Sequence, residues 1–508
     1  MTTDRSWRHI LFSDLGILIL IALAKLLFHT LTNGQYGWHR DELAMLDDAR
    51  YLAWGYVAYP PLTPALTRLG LALFGPSLAG VRFFAALAQS AMMVLAGLIA
   101  RELGASRTWQ VVAALAVAGS PASLAESALI QYVAFDLLWW VLAAYFVVRL
   151  LKSENPRWWL GIGAVIGLGM MTKYTMAYFA VGIVGAVLLT KNRRYLASPW
   201  LWAGVALSLL IFLPNLIWHI RHDFVSLDFL SDIHARDVRI GRTQGYLTEQ
   251  LYLTAGPFAL PLWVAGLYAY FFGVFHDRYR MLGWMYVIPF GLFLATQGRG
   301  YYLSPAYPML VAAGAAAGDR WVKSLAAGWA RLAQGAAWAM VGLGLVIDGL
   351  LMLPLAPINS GLWDVTNEVH DLFREEIGWP ELTETVADIY ASLPEAEQAQ
   401  TGILAGNYGE AGAINLYGPA YGLPEAISGI NSYWYRGYGP GDGPQTAIVV
   451  GFQRIDALRI FETCELAGEI TNRYGVLNEE TQYHRNIFLC RTLRRPWPEL
   501  WPEMRWYG

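Results

Sequence analysis

About eleven apolar stretches, each close to the length needed to cross a lipid bilayer, leave this chain few folds to choose from. They fall at about 11–31, 79–100, 109–126, 129–150, 158–172, 174–190, 199–218, 253–275, 281–296, 303–318 and 333–353. About twenty helical residues cross the roughly 30 Å hydrocarbon layer. Inside that layer every backbone amide must be bonded within the chain, which selects helices for runs of this length. The sequence therefore predicts a polytopic α-helical membrane protein with about eleven transmembrane helices, several of them short. Composition agrees: 56% of the 508 residues are hydrophobic and 15% charged. A net charge of −3 gives no basic footprint for nucleic acid. The first run lacks a small-residue cleavage site and reads as a retained helix.

Basic residues orient the helices. Arg5 and Arg8 fall on one side together with Arg101, Arg107, Arg149, Lys152, Arg157, Lys191, Arg193 and Arg194. Arg278, Arg280, Arg320, Lys323 and Arg331 join them, provided that 158–190 is a hairpin of two short helices turning at Lys173. Excess Lys and Arg marks the cytoplasmic side. The outer side then receives the loop 32–78, a loop at about 219–250, the turns near Pro121, Lys173 and Arg299, and everything after 353. Lys25 sits inside the first run and breaks the pattern, either snorkelling or facing other helices.

The outer loop 32–78 is far longer than a link between two spans requires. It carries Asp41, Glu42, Asp47 and Asp48 among Arg40, Arg50, Arg68 and many aromatics. Residues 40–50 have helical spacing. Asp41 and Asp48, seven apart, share one face, and Leu43 and Leu46 mark another. Tyr59-Pro60-Pro61-Leu62 forces an extended break before a second amphipathic segment ending at Phe74. Two short helices with a rigid corner are expected at the membrane surface. Asp41 is either a reactive carboxylate or one that satisfies free amides at a helix start.

Other polar residues stand out against the apolar background. Burying Lys173 in hydrocarbon would cost about 2.5–3.5 kcal/mol, so polar surroundings or an anion are expected there. Arg299 lies between Gly298 and Gly300, just before Tyr301 and Tyr302. Each cation is a candidate anion ligand or an interfacial anchor. Glu126, Gln131 and Asp136 lie in or near apolar runs and are expected to face a partner. His219, His222, Asp223, His234 and Asp237 are of metal-ligating types, but their spacing matches no compact site. No metal residue is assigned, although a divalent ion is compatible with the chemistry.

Composition changes after about Pro354. The division expected is a transmembrane part, 1–353, and a soluble α/β domain, 354–508, with strands at 401–406, 447–452 and 485–491. The stretch 407–415 reads as a strand–helix connection rather than a nucleotide fingerprint. Cys464 and Cys490 pair if this region is extracytoplasmic and remain thiols otherwise.

Four segments together resemble a known family. They are the acidic Arg40-Asp41-Glu42, the Tyr59-Pro60-Pro61-Leu62 corner, the glycine-rich turn 167–175 around Lys173, and Arg299 to Leu310. They are similar to those of bacterial C-type membrane glycosyltransferases related to the dolichyl-phosphate-mannose–protein mannosyltransferases (glycosyltransferase family 39) and to the lipid A aminoarabinose transferase. The resemblance covers about residues 10–320, and the tail, with 407–415 and 431–435, is similar to the soluble domain of bacterial members.

The resemblance implies transfer of a sugar from a polyprenyl phosphate, undecaprenyl phosphate in a bacterium. The acceptor would be a hydroxyl on an envelope glycolipid, glycan or protein, at the outer face of the cytoplasmic membrane. It places the catalytic carboxylate on Asp41. Glu42 beside it is the second catalytic candidate, and with Asp41 as the base it would bind the acceptor or an arginine such as Arg40 or Arg50. Lys173 and Arg299 become the expected phosphate ligands, Arg299 standing where relatives carry lysine. Tyr59, Tyr301 and Tyr302 would line the site. The demands of the chemistry agree: hold a phosphate, take a proton from a hydroxyl, keep water out. A transporter or lipid-sugar flippase would also carry intramembrane charge, but its halves should be related in sequence, and no such repeat is visible. A membrane-anchored binding protein with an active tail is the other rival. Deleting the residues after Pro354 is expected to leave a recognisable lipid-sugar site if the protein is the enzyme.

Overall fold

The computed structural model describes residues 13–508, so Arg5 and Arg8 of the charge pattern lie outside the described residues. Helix α1 (Asp14–Thr32) leads into the two expected loop helices, α2 (Arg40–Arg50) and α3 (Leu62–Phe74), and then into the long α4 (Leu78–Glu102). A bent pair follows, α5 (Arg107–Ala118) and α6 (Pro121–Ser127), meeting at 64°, and then α7 (Tyr132–Ser153). The hairpin expected at 158–190 forms as α8 (Trp158–Met170) and α9 (Met176–Leu188), with Lys173 in the turn. Next come α10 (Pro199–Arg221) and α11 (Val225–Arg239). A second bent pair, Tyr246–Thr254 and Pro257–Phe271, breaks by 88°. The membrane part ends with α12 (His276–Ala295), a tight turn at Gly300–Ala306, α13 (Tyr307–Ser324) and α14 (Ala327–Met352).

Among the described residues, five helices are long and apolar enough to cross a membrane: α1, α4, α7, α10 and α14. The number rises to seven if each bent pair is one span. The shortfall from eleven has local causes. Pro121 and Pro257 break two runs, because proline cannot donate to the helix ladder. Helices α8 and α9 are 13 residues each. Helices α12 and α13 carry charged ends, with Asp277, Arg278 and Arg280 on one and Asp319, Arg320 and Lys323 on the other.

The basic connections do gather at one end. Glu102 closes α4 there, with Arg101 at 3.3 Å, Arg149 at 3.7 Å and Lys152 at 3.0 Å. Arg320 donates to the Leu103 carbonyl at 3.1 Å. Lys25 faces the helices rather than the interface. Its ammonium donates to Ser123 Oγ at 2.7 Å and to the Ala118 carbonyl at 3.3 Å, across the break between α5 and α6.

The tail contributes α15 (Trp379–Ala391), β1 (Thr401–Ala405), α16 (Tyr408–Tyr417), β2 (Ala426–Ile427), β3 (Thr446–Val450), β4 (Phe461–Glu469) and β5 (Asn486–Leu493). The sheet order is β2-β1-β3-β5-β4, parallel on the β1 side and antiparallel around β5. Strands β1 and β3 are buried along their whole length, as continuous apolar strands between covering layers should be. Cys464 and Cys490 are direct cross-strand neighbours on β4 and β5 and form a disulfide, which closes the alternative left open by the sequence. No gap separates the tail from the helices. Trp38, Leu43 and Leu46 of the 32–78 loop and Val81 of α4 share one core with Trp379, Leu382, Ile403 and Ile414.

Candidate active site

Helix α2 starts at His39, whose ring Nδ1 accepts the Asp41 N–H at 3.2 Å. Glu42 reaches back to the His39 N–H at 2.9 Å and completes a capping box. The rest of Glu42 is equally committed. It is fully buried, and Arg82 of α4 grips both its oxygens, Nε to Oε1 at 2.9 Å and Nη2 to Oε2 at 2.6 Å. The Ile130 N–H adds a fourth bond, to Oε1 at 2.9 Å. Glu42 therefore locks α2 to α4 and to the α6–α7 link. The expected arginine is present but is Arg82 rather than Arg40 or Arg50: Arg40 turns to Glu375 and Glu479 of the tail, and Arg50 to Asp47 and the Asn415 carbonyl. An arginine within an apolar run was the available signal for Arg82.

Asp41, about 100° further round the helix, is more open, with 38% of its side chain exposed. Its oxygens accept no helix amide. Oδ2 accepts from Gln131 Nε2 at 2.5 Å, and Oδ1 accepts from the Tyr408 hydroxyl at 2.9 Å. Asp47 and Asp48 are buried and taken up by packing. Asp47 accepts from Asn415 and Tyr433, each at 2.7 Å. Asp48 accepts from Tyr59 at 2.6 Å and from Arg436 at 2.5 Å. Burial pushes the Asp48 carboxyl up to about 6 despite Arg436.

Lys173 lies in the α8–α9 turn, buried within an aromatic cage. Its Nζ is 4.6 Å from the Tyr302 ring centre, 4.9 Å from Tyr301 and 5.4 Å from Tyr132. Among the described residues it makes no ion pair or hydrogen bond, although the charges of Asp136 and Glu126 act on it. Asp136 is engaged by Trp140 at 3.0 Å and Thr175 at 2.9 Å, while Glu126 Oε2 is buried without a partner. Consecutive residues at the start of α7 link the two candidates: Gln131 holds Asp41, and the Tyr132 ring packs beside Lys173. The Leu62 N–H, at the Pro-Pro corner, donates to the Met171 carbonyl at 2.9 Å and ties the loop to the same turn.

The remaining expected residues take different places. Tyr301 and Tyr302 line Lys173 directly. Tyr59 stands one layer behind, its hydroxyl on Asp48 and its ring 5.6 Å from that of Tyr132. Arg299 is paired, Nε and Nη2 each 2.6 Å from Asp237 Oδ2, with 22% of its side chain exposed. Among the described residues no three His, Cys, Asp or Glu side chains converge as a metal site. His219 contacts the Tyr174 hydroxyl at 2.7 Å, and His222 the Trp218 carbonyl at 2.7 Å. Tyr132 and Tyr408 are site residues that sequence reasoning missed; Tyr132 opens the apolar α7, and Tyr408 lies in the 407–415 stretch read only as a connection.

The family described as dolichyl-phosphate-mannose-protein mannosyltransferase matches residues 58–218. The lipid A galacturonosyltransferase RgtD of Rhizobium johnstonii is 26% identical over 256 residues, 47% of this chain. The match spans about half the length of that curated relative, 52%. ArnT from Cupriavidus metallidurans superposes in its apo state with a TM-score of 0.53 at 15% identity, covering 93% of this chain and 97% of that one. ArnT bound to undecaprenyl phosphate gives 0.51 at 16% identity with the same coverage. The Archaeoglobus fulgidus oligosaccharyltransferase gives 0.52 at 13% identity, covering 86% and 68%. At these identities the structural likeness is one of fold. In sequence and in fold alike, the chain resembles the C-type membrane glycosyltransferases.

Proposed function

We propose that the protein transfers a sugar from undecaprenyl phosphate, or a similar polyprenyl phosphate, to an acceptor hydroxyl on an envelope glycolipid, glycan or protein. One observation carries the reading. An open carboxylate, Asp41, and a caged ammonium that makes no ion pair among the described residues, Lys173, are joined through Gln131 and Tyr132. Asp41 takes the proton from the acceptor hydroxyl as its oxygen attacks the anomeric carbon. The bond from that carbon to the phosphate oxygen breaks, and the prenyl phosphate leaves with the electron pair. Lys173 balances the phosphate charge. Arg299 joins it if the phosphate replaces Asp237 as partner. Glu42 has no part in proton transfer, because its oxygens are already bonded on every side. A positioned base is worth about 10²–10⁴-fold in rate, and a cation placed on developing charge about 2.7–4 kcal/mol.

The reaction belongs to the outer face of the cytoplasmic membrane on this reading. Counting α8, α9, α12 and α13 as crossings beside the five long helices and the two bent pairs would give the eleven expected from the sequence, and an odd number would put the tail opposite the basic connections. The tail's disulfide suits an oxidising compartment.

The test has two arms. Purified Asp41→Asn should bind donor as the parent does and turn over roughly 10²-fold more slowly. Lipids and envelope glycans of a strain lacking the gene should lose the mass of one sugar, which names donor sugar and acceptor together. Parental turnover in Asp41→Asn, or an unchanged envelope, would overturn the proposal.

A further inference from the structure

The tail does more than sit beside the site. Helix α16 packs against α2 almost backbone to backbone. A Cβ on Gly412 would stand 2.7 Å from the Leu43 carbonyl carbon, and one on Gly409 would stand 3.0 Å from Arg40 Cβ. Arg40 is gripped by Glu375 and Glu479 and lies 5.0 Å over the Tyr408 ring. The union of the two helices is thus already made by glycine contacts, an ion-pair cluster and a ring. None of these needs the Tyr408 hydroxyl, which goes instead to Asp41 Oδ1.

On the reading that Asp41 is the base, we infer that Tyr408 is a positioning residue and that the tail completes the active site by supplying it. A carboxylate on a short side chain still rotates about its last bond. Gln131 holds one oxygen from the membrane helices and Tyr408 holds the other from the tail, so the plane of the carboxylate is set from two sides. An ionised carboxylate has about four acceptor positions, and these two bonds leave others for the acceptor hydroxyl. Burial pushes the Tyr408 phenol up, so it remains a donor across the working pH range.

The experiment is a cycle of Tyr408→Phe and Asp41→Asn in the full-length protein, assayed with the undecaprenyl-phosphate sugar whose mass the envelope of the deletion strain loses. Tyr408→Phe keeps the ring beneath Arg40 and removes only the hydroxyl. It should lower kcat roughly 10-fold and leave the donor KM within about twofold. In the Asp41→Asn background the same change should cause no further loss, because the group it positions is already gone. Parental kcat in Tyr408→Phe, or a loss that multiplies fully with that of Asp41→Asn, overturns the inference and returns Tyr408 to packing. A crippled Asp41→Asn beside an unaffected Tyr408→Phe sinks the inference alone. Full activity in Asp41→Asn removes the base and the inference together.

Discussion

Two adjacent carboxylates have opposite fates, and their environments separate them without ambiguity. Asp41 is open and held by two neutral donors, whereas Glu42 is sealed against Arg82. Removing one member of a buried ion pair strands the other charge and costs about 3–5 kcal/mol. Glu42→Gln should therefore lower the thermal midpoint and the yield of folded protein, while turnover per folded molecule stays within a few-fold of the parent. Asp41→Asn should do the reverse. Thermal unfolding in detergent, paired with specific activity, distinguishes the two. A Glu42→Gln protein with parental stability and no turnover would return Glu42 to the chemistry. The helical spacing of 40–50 already turns neighbouring side chains about 100° apart; it could not name Arg82, which comes from forty positions further on.

At the scale of elements, local pattern was legible and long-range pairing was not. The helices α2 and α3, the Pro-Pro corner, the α8–α9 hairpin and the strands β1, β3 and β5 all carry their signals within a few residues. Strand β2 has two residues, and β4 reads Phe-Glu-Thr-Cys-Glu-Leu-Ala-Gly-Glu, too charged for a buried strand; neither announces itself. The contact of α16 with α2 was invisible for a different reason. It rests on the absence of side chains at Gly409 and Gly412, and glycine in a helix has many explanations until the opposing surface is known. That contact yields a prediction. Gly412→Ala drives a methyl group into the Leu43 backbone, and such overpacking costs about 1–3 kcal/mol. The shift of α16 should also carry the Tyr408 hydroxyl away from Asp41 and lower kcat severalfold. Gly361→Ala, where a Cβ meets nothing within 4 Å, is the control and should change neither stability nor rate. Equal behaviour of the two variants would show that the helix contact tolerates more room than the geometry allows.

The whole molecule is one packed body rather than a membrane enzyme with a detachable tail. Deleting the residues after Pro354, which the sequence offers as a clean discriminator, would uncover Trp38, Leu43 and Leu46 and remove the partners of Arg40. The junction can be loosened more gently by pH. Burial pushes Glu375, Glu376 and Glu410 each up to about 8, against an ordinary value of 4.5, even though Arg82 beside Glu376 opposes the change. Carboxyls raised in this way bind more protons folded than unfolded. Their contribution is complete below pH about 4.5 and is lost as pH rises through about 8. Buried His39 and His484 work in the opposite sense, since burial holds both rings below their usual 6.5, but that effect is complete by about pH 7. Above about pH 7 the glutamates dominate, so the thermal midpoint should fall as pH rises through about 8 and level off near pH 9. Intrinsic tryptophan fluorescence reports it directly, because Trp38 and Trp379 are buried in the shared core. Glu410→Gln keeps the side chain's shape, and its carbonyl can still accept from the Gly406 and Asn407 amides. It should raise the midpoint at pH 9 and flatten the slope. A midpoint that rises toward pH 9, or a slope that Glu410→Gln leaves untouched, would mean that these carboxyls titrate as they do in water and that the junction is wetter than its packing.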